Sequence, residues 1–588
     1  MKVVSLDPGH NTTVCYFEDG ECKKVIQEEK FSNLKNHTGF PFEGLRYLSK
    51  LYDFRAVDYF IFSSVAAMWL SVPDKKSGTT YAQGNFIEDL SRSWIRKYLE
   101  YKIHPKKLLF HLRNFLLYQK ITPQARREFS KYFHETYGVG EEKLKYFDHH
   151  TCHALSPLYF YNLENRKEDI LLITMDGAGD NSFSKVFIYH HKNRSYEEIA
   201  NSRHDASLGL LYSETTKFLG MKPNEHEYKV MGLAAYVTDF KYYRHIYEKL
   251  KTLIWFDKKT LTFDSKFNMY VSVHFLKDNF QCERFDNISA ALQRLIEELV
   301  IELVKAAIAK TGIRTIAVSG GVFMNVKLNQ KIQGLPEVKK IYFMPSSGDE
   351  STVIGAAYKL YLDKKLKTHS DESMYKGFAY SNEDVLNFLQ KNKNKYIFRY
   401  YKNVELEIAK LLAKHRVVAR FKGAGEWGAR SLCNRCILGN ASDLSAYYEI
   451  NDAIKMRDFW MPFAPTIMED WAGRYIRNWS VLKNKVFESS KYMITAFDTT
   501  PLAEKHLRAA IHQKDKTIRP QILSLSDNPE MYKLLKHYEK FTGMGGLLNT
   551  SLNLHGFPLV GTLEQALFTF DNSKLTYIAI ENYLVTKK

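Results

Sequence analysis

A chain of 588 residues is too long for one hydrophobic core and predicts two or more domains. With 45% hydrophobic and 14% aromatic residues it has ample material for packed cores, which excludes a disordered chain. Lys and Arg outnumber Asp and Glu by 84 to 66, and the resulting +18 suits an anionic partner, whether nucleotide, phosphorylated metabolite or nucleic acid.

The first element is an apolar strand, Lys2-Val3-Val4-Ser5-Leu6, running into the turn Asp7-Pro8-Gly9-His10-Asn11. A second strand, Thr12–Phe17, follows, then Asp19-Gly20 and a third strand through Val25. An apolar strand at the very start leaves no room for a signal peptide, and six cysteines in this length fit a reducing, cytoplasmic setting better than a disulfide framework. Tyr52–Gly138, with Tyr98, Tyr101, His104, Phe110 and His111, is an aromatic-rich helical insert that reads as core or as a lid over an acceptor.

Asp148-His149-His150-Thr151-Cys152-His153 carries the most chemistry. On a helix, His149 and His153 lie four apart on one face, a spacing that lets two imidazoles reach one metal ion. Asp349, in the small-residue turn Ser346-Ser347-Gly348-Asp349-Glu350, is the best candidate for a carboxylate ligand, and such a set leaves positions open for catalysis. The alternative is that both histidines cap or pack a helix. Pro157 predicts a bend, because a proline inside a helix frees the carbonyl four residues back.

Ile170–Met175 leads into Asp176-Gly177-Ala178-Gly179-Asp180-Asn181, and Ser184–Tyr189 returns as a strand. Two strand, Asp-turn, strand units predict a duplicated α/β fold whose halves face each other across a nucleotide cleft. Asn224–Ala235 places Glu227 and Lys229 at the head of a small-residue helix. Ile288–Lys310 is amphipathic, interrupted by charges, and does not span a membrane. Thr315–Ser319 then runs into Gly320-Gly321 and a helix starting near Asn325, where either close packing or an approaching phosphate would require glycine.

Lys364–Ser381 is polar and aperiodic and marks the domain boundary. Beyond it, Val417–Phe421 enters Lys422-Gly423-Ala424-Gly425-Glu426-Trp427-Gly428-Ala429-Arg430. Arg430, Arg435, Lys455 and Arg457 with these glycines form a candidate anion cradle, and Asn549-Thr550-Ser551 adds three hydrogen-bonding side chains after an apolar strand. Cys433-Asn434-Arg435-Cys436 is a lone CxxC and reads as two ordinary thiols.

In order along the chain, Glu28–Lys35, Asp148–His153, Ser207–Ser213, Lys229–Ala234, Ser319–Val322, Gly348-Asp349, Glu426-Trp427-Gly428, Asn434-Arg435, Pro462–Pro465 and Asn549–Ser551 resemble the O-carbamoyltransferases that act on nodulation factors and on antibiotics such as tobramycin. That resemblance implies an actin-like ATPase (ASKHA) domain over residues 1–368, similar to tRNA threonylcarbamoyl transferase. It also implies an α/β YrdC-like domain over 369–588. The YrdC-like domain would make carbamoyl adenylate from carbamoyl phosphate and ATP with Mg2+. The N-terminal domain would pass the carbamoyl group to the hydroxyl of a small-molecule, sugar or nucleoside acceptor beside Fe2+ or another divalent metal.

By position, the family's metal ligands fall on His149, His153 and Asp349, and His10 and Lys35 match positions lining the transfer site, with Asp176 the third expected catalytic residue. Gly177, Glu227, Lys229, Gly320, Gly321 and Asn325 are the expected nucleotide residues there, and Arg430, Arg435, Lys455, Arg457, Asn549, Thr550 and Ser551 those of the C-terminal domain. Ala424 and Met461 stand where the family usually has arginine, Cys433, Cys436 and Leu563 depart as well, and Lys422 is a candidate stand-in for one lost cation. These departures imply a weakened or altered adenylation step. A threonylcarbamoyl-type enzyme acting on nucleic acid, and a degenerate nucleotide-binding homologue, are the competing readings; no membrane partner is expected.

Overall fold

The computed structural model describes residues 1–65, 72–73, 80–81 and 107–588, with side chains described from 122 onward in the last segment. Tyr98, Tyr101 and His104 of the expected lid, and the side chains of Phe110 and His111, lie outside the described residues. The chain forms two compact units, Met1–Glu28 with Asn36–Glu372, and Glu29–Lys35 with Ser373–Lys588.

The first unit contains two five-stranded sheets of the same plan. One runs Glu21–Gln27, Thr13–Glu18, Lys2–Asp7, Tyr59–Phe62, Leu144–Tyr146. The other runs Ser195–Arg203, Ser182–His190, Ile170–Gly179, Thr315–Ser319, Lys340–Phe343. In each, the first three strands are antiparallel neighbours and the last two are added in parallel. The expected duplication is therefore present in the hydrogen-bond pattern itself. Asp19 and Gly20, both at positive φ, make the two-residue turn that closes the first hairpin.

Helix His149–Phe160 is buried along its whole length and packs on Thr352–Asp363. It continues through Pro157 to Phe160. The two helices approach most closely at Gly355, where a Cβ would overlap the Cys152 carbonyl oxygen. Ser156 Oγ fastens the same contact, donating to the Cys152 and Ser351 carbonyls at 2.8 and 2.7 Å. The partner helix starts just after the 3-10 turn Asp349–Ser351, so this packing sets the distance between the histidine helix and Asp349.

The second unit is built on an eight-stranded mixed sheet in the order Tyr396–Tyr400, Tyr583–Lys587, Tyr577–Ile580, Val418–Phe421, Arg435–Gly439, Gly546–Ser551, Ala464–Met468, Gln521–Leu523. Residues 29–35, which the expected division assigns to the N-terminal domain, belong to this unit. The reason is a buried polar anchor. Lys30 Nζ pairs with Glu29 at 2.7 Å and donates to the Leu559 carbonyl at 3.0 Å, while Gln565 Nε2 donates to the Lys30 carbonyl at 2.8 Å. Among the described residues no helix is long and apolar enough to cross a membrane.

Two outcomes follow from the packing of the first unit. Gly355→Ala forces a methyl into a backbone contact and is expected to cost about 1–3 kcal/mol in a urea titration; Gly334→Ala, where a Cβ meets only ordinary contacts, is the control. Glu28 accepts the Glu43 and Gly44 N–H groups at 2.9 and 2.8 Å, yet burial outweighs them and pushes its carboxyl up to about 7 from 4.5. A raised carboxyl favours the folded state in its neutral form. Its contribution is therefore complete below pH 4.5 and lost as pH rises through about 7. Stability of Glu28→Gln measured across that window should lack this decline.

Candidate functional site

His149 and His153 point into one small volume, their Nε2 atoms 3.1 Å apart. Asp349 Oδ1 lies 3.5 Å from His149 Nε2 and 3.4 Å from His153 Nε2. Asp176 Oδ2 lies 3.4 and 4.0 Å from the same two atoms. One ligand atom from each of the four residues falls within 4.8 Å of the others. The three residues picked out of the sequence are thus brought together. Asp176, expected as a catalytic group, joins them as a fourth donor.

The surroundings orient these donors. Ser319 Oγ sits 3.2 Å from His153 Nδ1, which leaves Nε2 as the atom facing the cluster. The Gly321 N–H donates to Asp176 Oδ1 at 2.9 Å, fixing the carboxylate. Gly320 has φ of 105° and lies so close to the Met175 backbone that a Cβ would overlap the carbonyl oxygen. That is the structural need for glycine there.

His150 turns the other way, its Nδ1 2.8 Å from Thr174 Oγ1, and burial together with the two neighbouring imidazoles holds it neutral, its pKa lowered to about 3. Burial opposes charge on His149, but Asp349 and Asp176 overcome it and raise its pKa well above the ordinary range. Burial likewise opposes charge on Asp349, and His149 and His153 overcome it and hold the carboxyl well below its usual value. Two neutral-capable imidazoles and two carboxylates converging in a buried pocket are a donor set suited to a divalent cation.

His10 stands near Glu227 and Glu350 and bears on the ionisation of both, whose carboxyls are raised by burial. Glu350 ties this corner together: it accepts from Asn11 Nδ2 at 3.1 Å and from Ser346 Oγ. Glu227 accepts the Asn224 N–H at 2.6 Å, and Lys229 is buried on the same short helix. Gly177 lies on strand Ile170–Gly179, one residue after Asp176, with open space where a Cβ would be. Asn325 is a correction: its Oδ1 caps helix Val326–Gln333 and its Nδ2 donates to Gln293, so its side chain is committed within the fold. Lys35 belongs to the second unit.

In the second unit the cations gather. Lys455 is buried and its pKa is pulled well down, by burial and then by Arg457 and Lys35. Arg519 is lowered well below the usual guanidinium range by burial and then by Arg430 and Arg457. Lys35, Arg430 and Arg457 thus bear on Lys455 and Arg519, an arrangement that an anion would relieve. Lys455 Nζ is aimed by Ser551 Oγ at 3.2 Å and Asn553 Oδ1 at 2.5 Å. Thr550 lies on the same strand as Ser551, Gly546–Ser551.

Three sequence expectations change here. Arg435 is fully buried, stacks 3.7 Å over Phe421, and donates to the carbonyls of Lys422, Gly423, Asn434 and Phe378 at 2.9–3.2 Å. It shapes the glycine-rich loop instead of facing an anion. Lys422 does not replace a lost arginine, because its ammonium is held by Glu405 at 2.7 Å and Glu530 at 3.1 Å. Asn549 Nδ2 donates to the Ser431 carbonyl, Thr466 Oγ1 and Cys433 Sγ in a buried network, so its side chain is committed within the fold. Arg519 was not singled out from sequence: one arginine before a proline carries no pattern until strand Gln521–Leu523 is placed beside Ala464–Met468.

The carbamoyltransferase N-terminus model matches residues 3–358 and the carbamoyltransferase C-terminus model residues 409–587. An uncharacterized protein of Methanocaldococcus jannaschii is 32% identical over 509 residues, 82% of this chain and 79% of its own. The nodulation protein NolNO of Sinorhizobium fredii is 25% identical over 468 residues, 76% of this chain and 65% of its own. A 3'-hydroxymethylcephem-O-carbamoyltransferase of Amycolatopsis lactamdurans is 29% identical over 247 residues, 42% of this chain and 44% of its own. With the N-terminal model alone spanning more than half of its length, this chain belongs to the carbamoyltransferase family.

Proposed function

We propose that the protein is an ATP-dependent O-carbamoyltransferase working in two half-reactions, one in each unit. The observation that carries this reading is the convergence of His149, His153, Asp176 and Asp349 in a member of this family. In the second unit, which we take as YrdC-like, water hydrolyses carbamoyl phosphate to carbamate and inorganic phosphate, and a carbamate oxygen then attacks the α-phosphorus of ATP, giving carbamoyl adenylate and displacing pyrophosphate. Lys455, Arg457, Arg430 and Arg519 neutralise the phosphates. AMP is then the leaving group that a bare carbamoyl group lacks.

In the first unit, read as an actin-like domain, an acceptor hydroxyl attacks the carbamoyl carbon, the bond to the phosphate oxygen breaks, and AMP departs. His149, His153, Asp176 and Asp349 would hold a divalent metal, Fe2+ in our reading, whose Lewis acidity stabilises charge on a phosphate oxygen. His10 is the proton acceptor for the hydroxyl, within the acidic corner made by Glu227 and Glu350. Gly177, with open space where a Cβ would stand, leaves room for the phosphate to approach the backbone, whereas Gly320 and Gly321 are glycine because they pack against Met175 and Asp176. The cephem enzyme's name specifies a hydroxymethyl acceptor, and by analogy the acceptor here is an alcohol of a small molecule.

The net charge of +18 favours a second reading, in which the acceptor lies on RNA. Titration with tRNA distinguishes them: affinity that falls steeply and linearly with the logarithm of salt supports RNA, and its absence supports the small molecule.

The two half-reactions should come apart on mutation. His153→Ala is expected to abolish carbamoyl transfer while leaving carbamoyl phosphate-dependent ATP–pyrophosphate exchange intact. Arg519→Ala should do the reverse to exchange, lowering it about ten- to a hundred-fold for the loss of one charge-assisted contact. Unchanged transfer in the first variant, or unchanged exchange in the second, would refute the assignment of that unit.

A further inference from the structure

The hairpin between Ile170–Gly179 and Ser182–His190 has a two-residue tip, Asp180-Asn181, with φ of 46° and 67°. Two successive positive φ values belong to the type I′ turn, whose twist matches that of the strand pair and fixes where its side chains stand. At this tip the hairpin meets His149 twice. Gly179 lies against the imidazole so closely that a Cβ there would overlap the ring. One residue further, the Asp180 carboxylate accepts the backbone N–H of His149 at 2.7 Å.

That N–H is one of the orphan donors at the start of the histidine helix. The N-cap residue Asp148 does not serve it, since its carboxylate takes the Thr151 N–H and hydroxyl, each at 2.8 Å. Asp180 also accepts from Ser64 Oγ at 3.1 Å and from the Val65 N–H at 3.1 and 3.2 Å. Ser64 and Val65 follow strand Tyr59–Phe62 of the first sheet, whereas Asp180 tips a hairpin of the second. One carboxylate thus joins both sheets of the first unit to the first turn of the helix that carries two of the four donors.

We propose that Asp180 is a positioning residue for the metal centre. It fixes the start of helix His149–Phe160 against both sheets, and Gly179 admits the His149 ring to its place. This role rests on the reading of the four-donor cluster as a metal site. Outer residues that hold a ligand in place commonly account for ten- to hundred-fold in metal affinity, which sets the expected scale.

The test uses Co2+ as probe on the full-length, metal-free protein, with affinity from chelator competition and coordination from the visible d–d bands. Wild type is expected to bind Co2+ with a well-defined spectrum. Asp180→Ala should bind about 10–100-fold more weakly, with shifted bands, and Asp180→Asn, which keeps one acceptor oxygen, should fall between. Gly179→Ala should shift the bands by displacing His149, and ATP–pyrophosphate exchange should be unchanged in all three. Asp180→Ala with wild-type affinity and spectrum overturns the proposal, whatever its thermal stability. Should that variant not fold, Asp180→Asn and Gly179→Ala with wild-type affinity and spectrum overturn it equally. Failure of wild type to take up Co2+ removes the metal reading itself, and the role of Asp180 with it.

Discussion

Two carboxylates and two imidazoles crowded into a buried volume less than 5 Å across impose the constraint on which the first unit depends. Like charges a few ångströms apart repel by about 3–4 kcal/mol even at an effective dielectric of about 20, so a site with two acidic side chains calls for a positive neighbour beside them. In the protein alone that neighbour is His149, whose raised pKa and the depressed pKa of Asp349 are two sides of one interaction. Such a cluster would relax if its supports were loose. The supports are therefore backbone contacts that leave no space: Gly355 against Cys152, Gly320 against Met175, Gly179 against the imidazole.

The second unit faces the same problem with the opposite sign. Burial and then neighbouring cations depress the pKa of Lys455 and Arg519. Compensation is deliberately partial. Lys422 and Arg420, on the strand Val418–Phe421, have acidic partners in Glu405 and Glu530, and Arg435 has a set of carbonyls. Those three are structural charges. Lys455 and Arg519, by contrast, have other cations as the charged neighbours that lower them, Arg457 and Lys35 for the first and Arg430 and Arg457 for the second.

What the sequence made legible was local or patterned. An i, i+4 histidine pair on a helix, Asp-bearing turns after apolar strands, and Asp19-Gly20 between alternating segments all carry their geometry in their spacing. The duplication was readable because each half repeats strand, turn, strand. What stayed hidden depends on long-range placement. Asp176 as a fourth donor, Arg519 as a member of the cation cluster, and residues 29–35 as part of the second unit follow only from which strands lie side by side. Asn325 misled for a related reason: a side chain after Gly-Gly at a helix start is as apt to cap as to bind, and Gln293 on a distant helix decides it.

Lys422 and Arg435 make the same point about charge. A cation's position along the chain says little about where its charge is spent, because a carboxylate from a remote helix consumes it. Counting cations in the glycine-rich loop therefore overstates the pocket at Lys422 and Arg435 and understates it at Arg519 and Lys35. Ala424 and Met461 remove two positive groups at positions where relatives resembling this chain usually have them, which made a degenerate pocket thinkable. Lys455 and Arg519, each lowered by burial and then by neighbouring cations, would be relieved by a ligand that brings negative charge, and that is the physical ground on which the adenylation half-reaction is proposed for this unit.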